Sequence, residues 1–239
     1  GPKNFTEAVR RFIKNWPYFL ISVIVAIGFT YGYLQLTPSV YKVSSTLLIQ
    51  DDKNGSAMSN STAFSDLNMF QTVKTVDNEI EILRSRDLIS KVLQDLELQT
   101  SYIQKSGFRK KELYGETLPI KIEIEELQKG AFVREIKISS INENLFRLTD
   151  STINIVAAYN KPIKTGNYTI RINKGPAYST YYETIGIKFK DLYKLTELYS
   201  MLKLQIVPVV KDANTIVVSV NDNIPQRGLD FLNQLIENY

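Results

Sequence analysis

Residues 16–36, WPYFLISVIVAIGFTYGYLQL, contain no charged side chain. Wound as a helix, the run extends about 31 Å, close to the thickness of a bilayer's hydrocarbon core. A core helix of a globular domain rarely continues so far without a charge, because one of its faces meets water. A cleavable leader has a shorter apolar stretch that ends in small residues, and no Ala-x-Ala follows here. Trp16, Tyr18, Tyr31 and Tyr33 lie toward the two ends, where amphipathic rings favour the membrane–water boundary. Pro17 suits a first helical turn. The run reads as an uncleaved transmembrane helix. Arg10, Arg11 and Lys14 directly precede it, whereas the first charges after it are Lys42, Asp51 and Asp52. That bias places residues 1–15 in the cytoplasm and residues 37–239 outside it. Gly28 and Gly32 have the spacing that lets two membrane helices approach closely. Gly1-Pro2 reads as the remnant of a cleaved tag.

The chain has no Cys and no His. Disulfides, thiol chemistry, a Ser-His-Asp triad and a His-ligated zinc are therefore excluded from these residues. The net charge is +4, but Lys3, Arg10, Arg11 and Lys14 against Glu7 account for +3 of it within residues 1–15. The remainder is nearly neutral and offers no footprint for a nucleic-acid backbone. Glu123, Glu125 and Glu126 form an acidic cluster, but strand alternation puts Glu123 and Glu125 on the solvated face, opposite Ile120, Ile122 and Ile124. There is no phosphate-cradling G-x-x-x-x-G-K-[ST]. Tyr178, Tyr181 and Tyr182 have the chemistry to stack on sugars, yet read better as half-buried strand surface. No cofactor or metal site emerges.

Beyond the apolar run, Tyr41, Val43, Leu47 and Ile49 alternate onto one face of a strand. A Ser/Asn/Asp-rich stretch comes next, with residues 51–66 expected to form a mobile loop. The sequons at Asn60 and Asn167 read as chance. Residues 72–98 carry two helical stripes, Val76-Ile80-Leu83 and Ile89-Val92-Leu93-Leu96, out of phase across Arg84–Asp87. Ser85 is placed to cap a second helix. Short alternating runs at 120–125, 132–139, 145–149, 153–159, 167–173 and 185–190 predict an antiparallel meander with one buried face. Asp191 is expected to cap a helix with Leu192, Leu195, Leu198 and Leu202 on its buried side. Two strands then flank residues 211–214. A last helix begins at Pro225, with Asn223 and Gln226 as a capping box and Leu229, Leu232, Ile236 and Tyr239 as its seam. With no terminating signal after Tyr239, the polypeptide is expected to continue. The fold class is α+β: one N-terminal transmembrane helix, then a mixed α/β domain with an antiparallel, β-rich middle.

The basic anchored N-terminus leading into VYKVSSTLLI, then NEIEILRSRDLISKVLQDLEL, then the tail from IGIKFKDLYKL to the end, together resemble the polysaccharide co-polymerase family. These are the chain-length determinants of bacterial surface polysaccharides, with a Wzz-type domain. The tail is most similar to the N-terminal part of a tyrosine autokinase of the Wzc type. The family's E-I-L-x-S-R-like run corresponds to Glu81, Ile82, Leu83, Arg84, Ser85 and Arg86. Its Pro followed by L-N-x-L-x-x-x-Y corresponds to Pro225, Leu232, Asn233, Leu235 and Tyr239. The resemblance implies a non-enzymatic periplasmic domain, spanning 37–239, of an inner-membrane homo-oligomer. Implied partners are the bilayer, a polysaccharide polymerase, the export machinery and the glycan itself. It also implies a long helix, a second span and, in the autokinase branch, a cytoplasmic tyrosine kinase further on. A membrane-fusion adaptor of a secretion pump and the sensor domain of a membrane receptor remain alternatives. The polypeptide beyond residue 239 would distinguish either of them.

The charge bias predicts topology. A membrane-impermeant thiol reagent applied to intact cells is expected to label a cysteine placed at Ser59 and to spare one placed at Glu7. The reverse pattern inverts the orientation.

Overall fold

The computed structural model describes residues 10, 13–37, 39–49, 76–106, 109–210 and 214–239. The polar stretch 51–66, Arg11, Asn60 and the turn residues 211–213 lie outside the described residues. The chain divides into two compact units, residues 1–39 and 40–239.

The first unit is built on α1, Trp16–Leu36. It is apolar all round, and none of its apolar window within Trp16–Leu34 is buried. Its two aliphatic hydroxyls turn back on the helix: Ser22 Oγ donates to the Phe19 carbonyl and Thr30 Oγ1 to that of Ala26, both at 2.8 Å. Both aliphatic hydroxyl protons are thus satisfied within the helix, as an apolar surrounding requires.

The second unit has two hydrophobic cores. The first lies under a three-stranded antiparallel sheet, ordered β1 (Tyr41–Leu48), β12 (Thr215–Asp222), β11 (Leu204–Pro208). Cross-strand rows set its buried face. Val43 opposes Val220, which opposes Leu204; Ser45 opposes Val218, which opposes Ile206. The core's helical side comprises α2 (residues 76–83), α3 (Arg86–Asp95), α4 (Leu192–Leu198) and α5 (Pro225–Asn238). The two out-of-phase stripes do form two helices. Ser85 leaves the helical region and its Oγ accepts from the Leu88 N–H at 3.4 Å, so Leu83 on one side and Ile89, Val92 and Leu93 on the other are all buried.

The helix ends three residues short of the expected 98. Glu97 takes the left-handed conformation (φ 53°), and the Leu98 N–H returns to the Leu93 carbonyl at 2.9 Å. Two further expectations shift in phase. Leu198 and Leu202 are exposed rather than buried, because α4 runs into a π-helical turn, Tyr199–Lys203, that brings Tyr199 inward instead. In α5 the buried stripe is Gly228, Phe231, Leu232 and Leu235, while Leu229 and Tyr239 are exposed. This stripe lets Phe231 meet the Tyr199 ring at 4.7 Å. At Gly228, a Cβ would lie 3.0 Å from Val43 Cγ2 and 3.3 Å from Val220 Cγ1, so glycine lets the helix approach the sheet closely. The Asn223–Gln226 capping box does not form: Ile224 is the N-cap and has no side-chain cap bond, while Gln226 donates to Asp230.

The β-rich middle holds the second core between two antiparallel sheets. One has six strands, ordered β3 (Arg109–Leu113), β2 (Thr100–Ser106), β10 (Ile185–Phe189), β5 (Glu135–Ser140), β6 (Leu145–Thr149), β7 (Asn154–Ala158). The other is β4 (Ile120–Leu127), β9 (Tyr168–Lys174), β8 (Pro162–Lys164). The expected simple meander holds only for β5–β6–β7. β10, late in the chain, pairs between β2 and β5. Local alternation specifies which face of a strand is apolar but not which strand it joins.

Left-handed backbone costs a non-glycine residue about 1–2 kcal/mol. Glu97→Gly is therefore expected to raise stability by up to about 1 kcal/mol, its gain trimmed by glycine's greater unfolded-state entropy and by loss of the exposed pair with Lys121 (3.0 Å). The urea unfolding midpoint measures it; a fall in midpoint would contradict the assignment.

Candidate functional site

Arg10 and Lys14 are exposed, and Trp16 opens α1 with 62% of its surface accessible. Gly28 and Gly32 lie on open helix surface, with nothing within 4 Å of where a Cβ would be.

The family-motif residues divide by role. Leu83 and Leu232 are core, Ser85 is a cap, and Pro225 opens α5. Glu81 and Asn233 are exposed. Arg86 donates to Tyr193 Oη at 3.2 Å and sits over that ring, and Tyr239 Oη donates to Glu79. Arg84, in the variable position of the motif, donates to the Ile206 carbonyl at 2.9 Å and so ties the α2–α3 corner to β11. The structure spreads these residues through the first core and does not gather them into one cleft. The acidic cluster is solvated, as expected: Glu125 pairs with Arg171 at 2.8 Å on an exposed face. Tyr178 and Tyr182 pack against the second core, and Tyr159 and Tyr182 share a hydroxyl–hydroxyl bond of 2.8 Å, but the expected strand surface does not form: all three of residues 178, 181 and 182 lie in the loop before β10, and Tyr181 is 80% exposed. Among the described residues no group of acidic side chains is arranged to hold a metal.

The strongest concentration of buried charge is one that sequence reading missed. Asp222, at the end of β12, has a side chain only 1% exposed. Arg227, in the first turn of α5, donates to it through Nη2 at 2.7 Å and Nε at 3.0 Å. Lys203 Nζ at 3.0 Å, Tyr199 Oη at 3.3 Å and the Ile224 N–H at 2.9 Å complete its shell. The other edge of the Arg227 guanidinium grips Glu112 on β3, with Nη1–Oε1 at 2.8 Å. Lys190 approaches the same carboxylate at 3.8 Å. Glu112 belongs to the six-stranded sheet, so this cluster joins the two cores. Burial by itself pushes both carboxyls upward. The hydrogen bonds and charge of Arg227 outweigh it and hold Asp222 and Glu112 below the usual carboxylate range. Burial pushes the Lys190 ammonium down, partly offset by Glu112. Arg227 is held charged between the two carboxylates. The cluster is a structural joint. The only sequence signal was an Arg on the buried side of an amphipathic helix; its partner Glu112 lies 115 positions away.

Residues 4–96 match the model of the chain length determinant protein family, Wzz. The E-I-L-x-S-R-like run around Ser85 lies within that stretch, whereas the residues from Pro225 to Tyr239 lie beyond it. No curated protein matches the chain.

Removing one partner of a buried pair strands the other charge, at about 3–5 kcal/mol. Arg227→Met is expected to destabilise the fold by that order. The sign of the pH dependence is set by the depressed carboxyls. Their contribution is complete above the unfolded values, about 3.9 for Asp and 4.3 for Glu. It disappears as pH falls through the lower folded values. Thermal melts between neutral and strongly acidic pH should show this acid loss in the native chain, and a smaller one in the variant. Equal acid loss in both would dissociate the carboxyls from Arg227.

Proposed function

We propose that this chain is an inner-membrane polysaccharide co-polymerase. It regulates the chain length and export of a capsular, exopolysaccharide or O-antigen polymer by oligomeric scaffolding. One observation carries the reading: the family match over residues 4–96 covers the stretch in which the apolar helix α1, the strand β1 and the Ser85-capped helix α3 succeed one another. In this reading the N-terminus is cytoplasmic, α1 spans the membrane and residues 37–239 are periplasmic. The Wzz domain is non-enzymatic, and the described residues serve positioning and assembly. Copies stand side by side through two different patches per subunit, the arrangement that closes a ring. A nearly neutral outer domain suits such packing because like charges oppose it little. The polymerase, the export machinery and the growing glycan are the partners. The likeness of the tail to the autokinase branch extends the proposal to a tyrosine kinase domain beyond residue 239.

Deleting the protein from cells that make the polymer is expected to replace a modal length distribution with a broad one on a gel, with re-expression restoring the mode. Native mass spectrometry of the gently extracted full-length protein should find a closed homo-oligomer. An unchanged length distribution after deletion rejects the function; a monomer in cells with normal length control rejects the scaffold.

A further inference from the structure

The π-helical turn after α4 turns apolar side chains outward at one end of the first sheet. Tyr199 rotates in to meet Asp222 and Phe231, so Leu198, Met201 and Leu202 are left 39%, 64% and 69% exposed. The turn is pinned to a known place. Lys203 and Tyr199 both bond Asp222, and Asp222 is the cross-strand partner of Tyr41, the first residue of β1. Val40 and Tyr41 are themselves 65% and 48% exposed. Five large apolar side chains therefore crowd the sheet end at which β1 begins. The flanking ammonium groups of Lys42 and Lys194 are exposed.

That end is also where the chain leaves its apolar helix. Only four residues separate Leu36, the last residue of α1, from Tyr41. The peptide cannot carry the start of β1 more than about 18 Å from the end of α1. The interfacial layer of a bilayer is about 5–8 Å deep on each side of the hydrocarbon. An apolar tip with lysines beside it, tethered this closely to a span, has the chemistry of an interfacial anchor: apolar groups enter the headgroup–acyl boundary while cations remain among the phosphates.

We propose that the 198–202 turn, together with Val40 and Tyr41, is a second membrane contact that enters the phospholipid interface beside the span. It fixes the tilt and height of the outer domain over the bilayer. The contact needs no partner protein and is independent of which polymer is made.

The chain has no cysteine, so one introduced thiol is a unique reporter. The full chain carrying Leu202→Cys is labelled with an environment-sensitive fluorophore. It is placed in nanodiscs of phosphatidylcholine with a minority of phosphatidylglycerol, whose two faces are both open to solvent. Met201→Cys serves as a second reporter, and both sites are exposed, so neither change touches a core. The labels are expected to show blue-shifted emission, loss of intensity with nitroxides carried near the lipid headgroup, and shielding from aqueous iodide. A label at Val156→Cys, 53% exposed on β7, should show the opposite pattern. A label at Ile24→Cys, within α1, must be quenched by lipid; if it is not, the span and this inference fail together. Lipid quenching at Ile24 with iodide access at both 201 and 202 overturns the inference alone. Shielding from both quenchers, with energy transfer between differently labelled copies, would mean that a second copy covers the patch and would also overturn it.

Discussion

Asp222 is the point on which the second unit turns. A carboxylate that is 1% exposed is severely destabilising unless its lone pairs are filled by donors. Here the Ile224 N–H, two nitrogens of Arg227, the Lys203 ammonium and the Tyr199 hydroxyl fill them. Each donor fixes a piece of architecture. Ile224 and Arg227 set where α5 starts, Tyr199 and Lys203 set the turn before β11, and Arg227 carries the bond onward to Glu112 and the six-stranded sheet.

The close approach of α5 to its sheet depends on the same corner. Gly228 comes directly after Arg227, and its missing side chain leaves room for Val43 and Val220. Arg227 therefore reaches Asp222 without pushing the helix off the core. Phe231 and Leu235 then fall inward, and Leu229 faces out. The turn of α4 answers the same demand. A regular helix through residue 202 would continue the leucine stripe; the wider π turn instead delivers Tyr199 to Asp222 and leaves Met201 and Leu202 in the open. An electrostatic requirement in the interior thus decides what the surface displays.

The two cores serve different needs. The first is made of elements far apart in sequence, β1 with β12 and α3 with α5, and the long-range pairing of β1 with β12 closes it. The second is largely self-contained between residues 102 and 189, two sheets facing each other across isoleucine-rich faces. Glu112 is the ionic link from the second to the first, through Arg227.

The sequence by itself determined much of what depends on neighbours along the chain. The uncharged run at 16–36 specified α1 as a helix apolar on every side, long enough to cross a bilayer. The phase break at Arg84–Asp87 specified two helices, and Ser85 their boundary. Alternation at Ile120, Ile122 and Ile124 named the buried face of β4, and with it the solvated side of the glutamates. The motif around Ser85 lies in the stretch that matches the chain length determinant family. Tertiary structure decided what depends on partners far away. It placed β10 between β2 and β5, because pairing is satisfied by any apolar strand of the right face. It rotated the seams of α4 and α5, because a buried Asp222 needed Tyr199 and Arg227 more than the helices needed their leucines. It assembled Asp222, Arg227 and Glu112, because a charge survives burial only where donors from separate segments converge, and no local pattern records that convergence.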